Sequence, residues 1–188
     1  MKVRWLGNSA LEIFGDKHIL IDPHYLIEPK EQADIVLLTH EHDDHFKKEN
    51  YEKYGEDADL YTTKTALEKF NLDGDVVEPG DEIEGIKVYD NNCWGTDDCV
   101  TFYYKGLITT GDSPVFPEVD DAKLIFTACF PDFYDDYIDA FNRLDPDLVI
   151  PFHYDPSEGT DDAEGLIDRM NQEGIKNKML ELGDIVEI

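Results

Sequence analysis

The chain of 188 residues carries 44 acidic and 16 basic side chains, a formal charge of −28 at neutral pH. A surface this negative repels phosphate backbones and anionic lipid, so nucleic acid and membrane surfaces are excluded as expected partners unless a bound cation reverses the field locally. Hydrophobic residues make up 41% and aromatics 12%, enough for a sizeable core, and the length suits a single domain over residues 1–188.

The acidic residues are spread along the chain, which reads as a solvated surface; Lys outnumbers Arg, and that tempers a salt-adapted reading. No stretch approaches the roughly 20 apolar residues of a membrane-spanning helix. The N-terminal MKVRWLGNSALEIFG alternates like a strand and has no signal-peptide core. Three cysteines, Cys93, Cys99 and Cys129, are an odd number for a disulfide framework. Buried inert thiols and a reducing cytoplasm are the default expectation.

In chain order, Lys2–Leu6, Ala10–Phe14 and His18–Ile21 read as a strand meander, separated by Gly-Asn-Ser and Gly-Asp-Lys turns. Asp34–Thr39 is a nearly continuous apolar run, the pattern of a strand buried on both faces. Thr63–Phe70 predicts a short helix with Thr at its start. Short strands follow at Val76–Glu78, Asp81–Glu84 and Ile86–Tyr89, then a hairpin of Cys99–Tyr104 and Leu107–Thr110. Lys123–Thr127 and Asp147–Pro151 are buried strands. Helices are expected at Tyr134–Leu144, with an apolar stripe, and at Asp161–Gln172, stopped by Gly174. A strand at Asp184–Ile188 closes the chain. Strands in a meander, then strands alternating with helices in both halves, point to an α/β fold of two packed sheets with helices outside.

The most informative segment is Thr39-His40-Glu41-His42-Asp43-Asp44-His45, directly after a buried strand. Of six histidines in the chain, three lie here. In an extended segment His40 and His42 point to one side and can grip one ion, while Asp44 and His45 face a second ion or the far side of the first once the chain turns. Imidazole and carboxylate suit Zn²⁺, and also Fe or Mn.

This His-x-His-x-Asp-His pattern resembles the signature of the metallo-β-lactamase superfamily. Other segments extend the resemblance over nearly the whole chain. Ile19–Pro23 resembles the strand ending in an Asp beside the metal site, Thr110-Gly111-Asp112-Ser113 the motif of a bridging Asp, and Val149–Tyr154 the closing strand whose His completes the second site. Glu78–Asp81 and Leu182–Asp184 resemble turns of the small subgroup that includes ascorbate-6-phosphate lactonase and uncharacterised relatives. The resemblance implies a four-layered αβ/βα sandwich, metal ligation by His40, His42, Asp44, His45, Asp112 and His153, and catalytic parts for Asp44, His45 and Asp112. Asp22 is expected to orient a ligand histidine or a turn rather than to bind metal itself.

The pattern departs from the family at one point. A further histidine is expected between the cluster and Asp112 to complete the first site, yet residues 46–152 contain none. Cys93, Asn91, Asn92, Asp90, His24 or water are the candidate replacements. The implied activity is hydrolysis of a small ester, lactone, amide or phosphoester by water that one or two zinc ions activate, lowering its pKa from about 15.7 toward 7. Trp94, Phe116, Phe130, Phe133, Tyr134, Tyr137 and Tyr154 are candidates to wall the site. The missing histidine keeps an alternative in view: a degenerate, non-hydrolytic metal-binding or sensing protein on the same fold. Substrate and oligomeric state are not legible.

Overall fold

Period-two alternation along the strands decides how this chain layers. The computed structural model describes residues 1–96 and 98–188. Strands β1 (Lys2–Gly7), β2 (Ala10–Phe14), β3 (His18–Ile21), β4 (Ile35–Leu38), β5 (Asp59–Thr62) and β6 (Asp75–Val76) form one sheet in that order, and Ile185–Glu187 adds at the outer edge of β1. The second sheet runs from β7 (Glu82–Ile83) through β8 (Ile86–Asn91), β9 (Cys99–Tyr104), β10 (Leu107–Thr109) and β11 (Leu124–Thr127) to β12 (Leu148–Pro151). The closing strand Ile185–Glu187 is β13.

Each sheet begins as antiparallel hairpins and continues as parallel strands, β3 to β6 in the first and β10 to β12 in the second. Parallel strands need crossover connections, and four helices supply or flank them: α1 (Lys48–Tyr54), α2 (Lys64–Phe70), α3 (Tyr134–Leu144) and α4 (Asp161–Glu173).

Alternate residues of one strand serve different layers. Ile35 and Leu37 of β4, with Ile19 and Ile21 of β3, meet Leu124 and Phe126 of β11 and Ile150 of β12 between the sheets. Leu20, Val36 and Leu38 point the other way, onto Tyr51 of α1 and Ala66 of α2. Ile125 and Val149 pack outward on Tyr137, Phe141, Leu166 and Met170 of α3 and α4. The result is the expected α/β architecture of four layers: helices, sheet, sheet, helices.

Local rules explain the boundaries. The Thr63 hydroxyl accepts from Ala66 N at 3.3 Å and caps α2. Gly174, at φ 73°, ends α4 in the left-handed conformation. Two elements were absent from the expectation. Helix α1 (KENYEKY) buries only Tyr51, so it carries almost no apolar stripe. Strand β5 (DLYT) is too short to show more than one alternation.

The cysteine expectation needs correcting. Cys93 and Cys99 are joined as a disulfide with Cα atoms 6.2 Å apart, and both are buried. The hairpin makes this possible: Asn91 pairs with Cys99 at the end of the β8–β9 ladder, so the connecting loop returns Cys93 over Cys99. Cys129 is a free buried thiol, and burial pushes its pKa up to about 12. Among the described residues no helix is long and apolar enough to cross a membrane.

Candidate metal centre

Four strand ends deliver the centre. Asp22 follows β3, Thr39 and His40 follow β4, Asp112 follows β10, and His153 follows β12. Each lies at the carboxyl end of its strand, where parallel sheets place their chemistry.

Asp112 is the hub. Its Oδ1 lies 2.6 Å from His45 Nε2 and 2.8 Å from His153 Nε2. Its Oδ2 lies 3.4 Å from His40 Nε2 and 3.5 Å from His42 Nδ1. Asp44 Oδ2 stands 3.4 Å from His153 Nε2. All six residues named for metal binding from the sequence thus converge, although His153 is 108 positions from His45 and its Nε2 lies 3.1 Å from His45 Nε2. They fall into two donor groups that share Asp112: His40, His42 and Asp112, and Asp44, His45, Asp112 and His153.

Behind the hub sits a buried carboxylate. Asp22 Oδ1 accepts from Thr39 N at 2.8 Å, and the Thr39 hydroxyl donates to both Asp22 oxygens at 3.0 and 3.1 Å. His45 Nδ1 donates to Asp22 Oδ2 at 2.8 Å, which directs Nε2 at Asp112. Asp22 therefore orients His45, and it belongs to neither donor group. Thr39, whose Oγ1 also touches Nδ1 of His40 at 3.0 Å, was not singled out from the sequence. Its only signal is its place just before the cluster.

Backbone conformation tightens the assembly. Asp22 and His153 hold φ of 46° and 67°, positions that non-glycine residues adopt at a cost. His153 N donates to Asn8 O at 2.9 Å, which ties the end of β12 to the β1–β2 turn. Gly111 has φ 60°, and a Cβ there would come within 2.9 Å of Thr39 Oγ1. Glycine is thus required twice over beside Asp112.

The electrostatics are those of a tightly coupled, buried charge cluster. Burial disfavours the charged form of His45, yet Asp22 and Asp112 on either side push its pKa up to about 10. Burial likewise opposes the Asp112 carboxylate, but His45, His153 and His40 hold it far below the usual range. The His153 bond holds Asp44 well below its ordinary value, and Asp112 and Asp44 raise His153 against burial. Burial lowers His40. His40 Nε2 is buried and has no hydrogen-bond partner among the described residues. An orphaned buried nitrogen facing a carboxylate is the signature expected of a ligand atom. The donor chemistry therefore fits one or two divalent cations.

Above the hub lies an open cleft of about 1020 Å³. His42, Asp44, Asp112 and His153 form its floor, while Trp94, Val115, Phe130 and Phe133 form an apolar wall. Trp94 is 89% exposed. Three aromatics of the expected wall, Trp94, Phe130 and Phe133, are in place, and the other four are corrected. Phe116 is buried against α3, Tyr137 is buried on the inner face of α3, Tyr134 donates to Asp162 O, and Tyr154 packs on Trp5. Helical periodicity had already assigned Tyr134 and Tyr137 to the α3 stripe, and packing claims both. No Lys or Arg lines the cleft among the described residues.

The expected replacements for the missing histidine separate clearly. Asn91 is committed elsewhere: its amide donates to Thr110 O at 2.9 Å and its Oδ1 accepts from Asn92 N at 2.8 Å. Asp90 is exposed on β8, and His24 belongs to no metal-competent cluster among the described residues. Cys93 and Cys99 lie beside His40.

Comparison with known proteins identifies the family and the fold. The family model for the beta-lactamase superfamily domain matches residues 2–116. A UPF0173 metal-dependent hydrolase of Nanoarchaeum equitans is 27% identical over 82% of this chain and 84% of its own. One from Thermus thermophilus is 25% identical over 100% of this chain and 99% of its own. The metallo-beta-lactamase fold protein YhfI of Bacillus subtilis superposes with a TM-score of 0.76 at 14% identity, covering 99% of both chains. The chain belongs to the β-lactamase superfamily, alongside relatives of the UPF0173 group that are named metal-dependent hydrolases.

Proposed function

We propose that this protein is a metal-dependent hydrolase that cleaves a small, predominantly apolar acyl compound, an ester, lactone or amide. The observation that carries the reading is the convergence of four imidazoles from two segments on Asp112 at the floor of an apolar cleft. His40, His42 and Asp112 would hold one cation, and Asp44, His45, Asp112 and His153 a second. Zinc suits these donors, with iron and manganese the alternatives. A divalent cation bound there supplies Lewis acidity and brings water into the neutral titration range.

The chain's own groups do the rest. Asp22 keeps the His45 proton on Nδ1, leaving Nε2 free to ligate. Asp44, the half-exposed carboxylate of the set, is the group placed to pass a proton between cleft and solvent. Trp94, Phe130 and Phe133 exclude water and hold an apolar substrate portion over the floor. A phosphoester is disfavoured because Asp44, Asp112 and Asp132 face the cleft with no Lys or Arg among the described lining residues.

The test is elemental analysis of the purified protein together with a panel of neutral and phosphorylated esters and lactones. Metal content and turnover should both fall in His42→Ala and in Asp112→Ala. Undiminished turnover in a His40→Ala/Asp112→Ala variant would overturn the proposal. The three-donor group around His40 favours one second reading, a metal-binding sensor, which bound metal without turnover across the panel would support.

A further inference from the structure

The two donor groups are unequal. The group around His153 has four donors, while His40, His42 and Asp112 are three. Beside the smaller group stand two sulfurs. One ring nitrogen of His40 and the Sγ atoms of Cys93 and Cys99 all lie within 4.8 Å of one another, and all three residues are buried. Both cysteines are nearly buried, at 2% and 3% exposure, and stand against a histidine whose Nε2 has no hydrogen-bond partner among the described residues. Thiolate is among the strongest ligands for zinc, whereas a disulfide sulfur carries no charge to offer a cation.

We propose that Cys93 and Cys99 form a redox-controlled ligand pair: when reduced, one of them completes the cation site of His40, His42 and Asp112, and when oxidised to the disulfide both withdraw from it. The proposal rests on the hydrolase reading for the existence of that site and adds a condition on its occupancy. It also names the residue type that takes the place of the missing histidine.

The chemistry balances with a low-molecular-weight disulfide as oxidant. One cysteine sulfur attacks it, releasing a small thiol and leaving a mixed disulfide. The second cysteine displaces the remaining small thiol, and the Cys93–Cys99 bond forms. Overall two protein thiols lose two electrons and two protons, and the small disulfide becomes two thiols. If one cysteine was a metal-bound thiolate, its proton left when the metal bound, and the cation loses that ligand as the S–S bond forms. A thiol or phosphine reductant reverses the change.

The loop between the two cysteines carries Trp94, so the same bond closes a ring at the cleft rim. Oxidation therefore acts on the site twice, removing a ligand and pinning an element of the apolar wall.

The experiment uses the whole protein loaded with Co²⁺, reduced with a phosphine or oxidised with glutathione disulfide, the redox state being verified by thiol counting. The reduced protein should show a sulfur-to-cobalt charge-transfer band in the near ultraviolet. Oxidation should abolish the band and weaken one ion by about tenfold or more while the other stays bound. The band should also be lost in Cys93→Ser/Cys99→Ser. A reduced protein that binds cobalt without the band, a band that persists in the double variant, or equal affinity in both redox states would overturn the inference. In each of those outcomes loss of metal in His42→Ala would leave the hydrolase reading standing. No bound ion in either redox state would overturn both.

Discussion

Asp22→Asn isolates the group that aims His45. Asp22 is fully buried, holds Thr39 N at 2.8 Å and receives His45 Nδ1 at 2.8 Å. An amide keeps the shape and can still offer its oxygen to Thr39. Its NH₂ then faces His45 Nδ1 and cannot accept that proton. The favoured tautomer of His45 moves its proton to Nε2, the atom facing Asp112 and His153, and a protonated Nε2 cannot ligate. The hydrogen bond at stake involves a charged group, worth about 1.5–3 kcal/mol. At 1.4 kcal/mol per tenfold, that is about 10–100-fold in metal affinity, the range seen for carboxylates behind metal-bound imidazoles. Competition against a chromophoric chelator measures it, with thermal unfolding as a control for folding. One ion should weaken by that factor and turnover should fall with it. Asp22→Ala should add a stability loss of about 1–3 kcal/mol, since Thr39 N then has no acceptor. An Asp22→Asn protein that holds both ions within about twofold of the original would refute the reasoning.

Four further outcomes are expected. Metal uptake at pH 7 should release protons to the buffer, because His45 titrates near 10 between Asp22 and Asp112 and must give up its Nε2 proton; affinity should therefore rise with pH up to about 10, and a pH-independent affinity would contradict this. Glu12 is a buried carboxylate bonded to Arg4 Nη1 at 2.8 Å and Lys30 N at 2.6 Å; Glu12→Ala should cost about 3–5 kcal/mol in denaturant unfolding and leave metal content unchanged. Burial works against its charge, but His18, Arg4 and Lys30 hold its pKa below 4.5, so its contribution is present above pH 4.5 and the gap between the two proteins should narrow as pH falls below that value. Gly111→Ala, at φ 60° with Thr39 Oγ1 2.9 Å from the new Cβ, should destabilise by more than about 1 kcal/mol and lower metal content, read by unfolding and elemental analysis. Trp94→Ala should raise KM for an apolar ester by about 10–100-fold with metal content unchanged, the equivalent of about 1.5–3 kcal/mol for burying a large apolar side chain; unchanged KM would place the substrate elsewhere.

The layered fold and the histidine cluster were legible because each rests on a local pattern, whereas Asp112 and His153 were reached through the family resemblance. Ile35–Leu38 is apolar on both faces, which announces a strand covered from two sides, and His40, His42 and His45 stand directly after it. What escaped the sequence depends on tertiary pairing that no periodic pattern announces. Helix α1 has a single buried side chain and holds its place through tertiary contacts such as Tyr51 on Phe46. Thr39 matters because Asp22, 17 positions away, folds against it. The Cys93–Cys99 bond follows from the β8–β9 register, which no composition argument reaches. Phe116 and Tyr137 were placed at the cleft by loop proximity, and packing took them inward.

The gathering around Asp112 of ligands as far as 108 positions apart in sequence has a consequence for biogenesis. Neither half of the polypeptide possesses a complete cage: one contributes the histidine-rich segment, the other the hub and His153. An ion held tightly by Asp44, His45, Asp112 and His153 thus certifies that β10 and β12 have both docked, and its retention through gel filtration would report correctly matured molecules rather than merely collapsed ones.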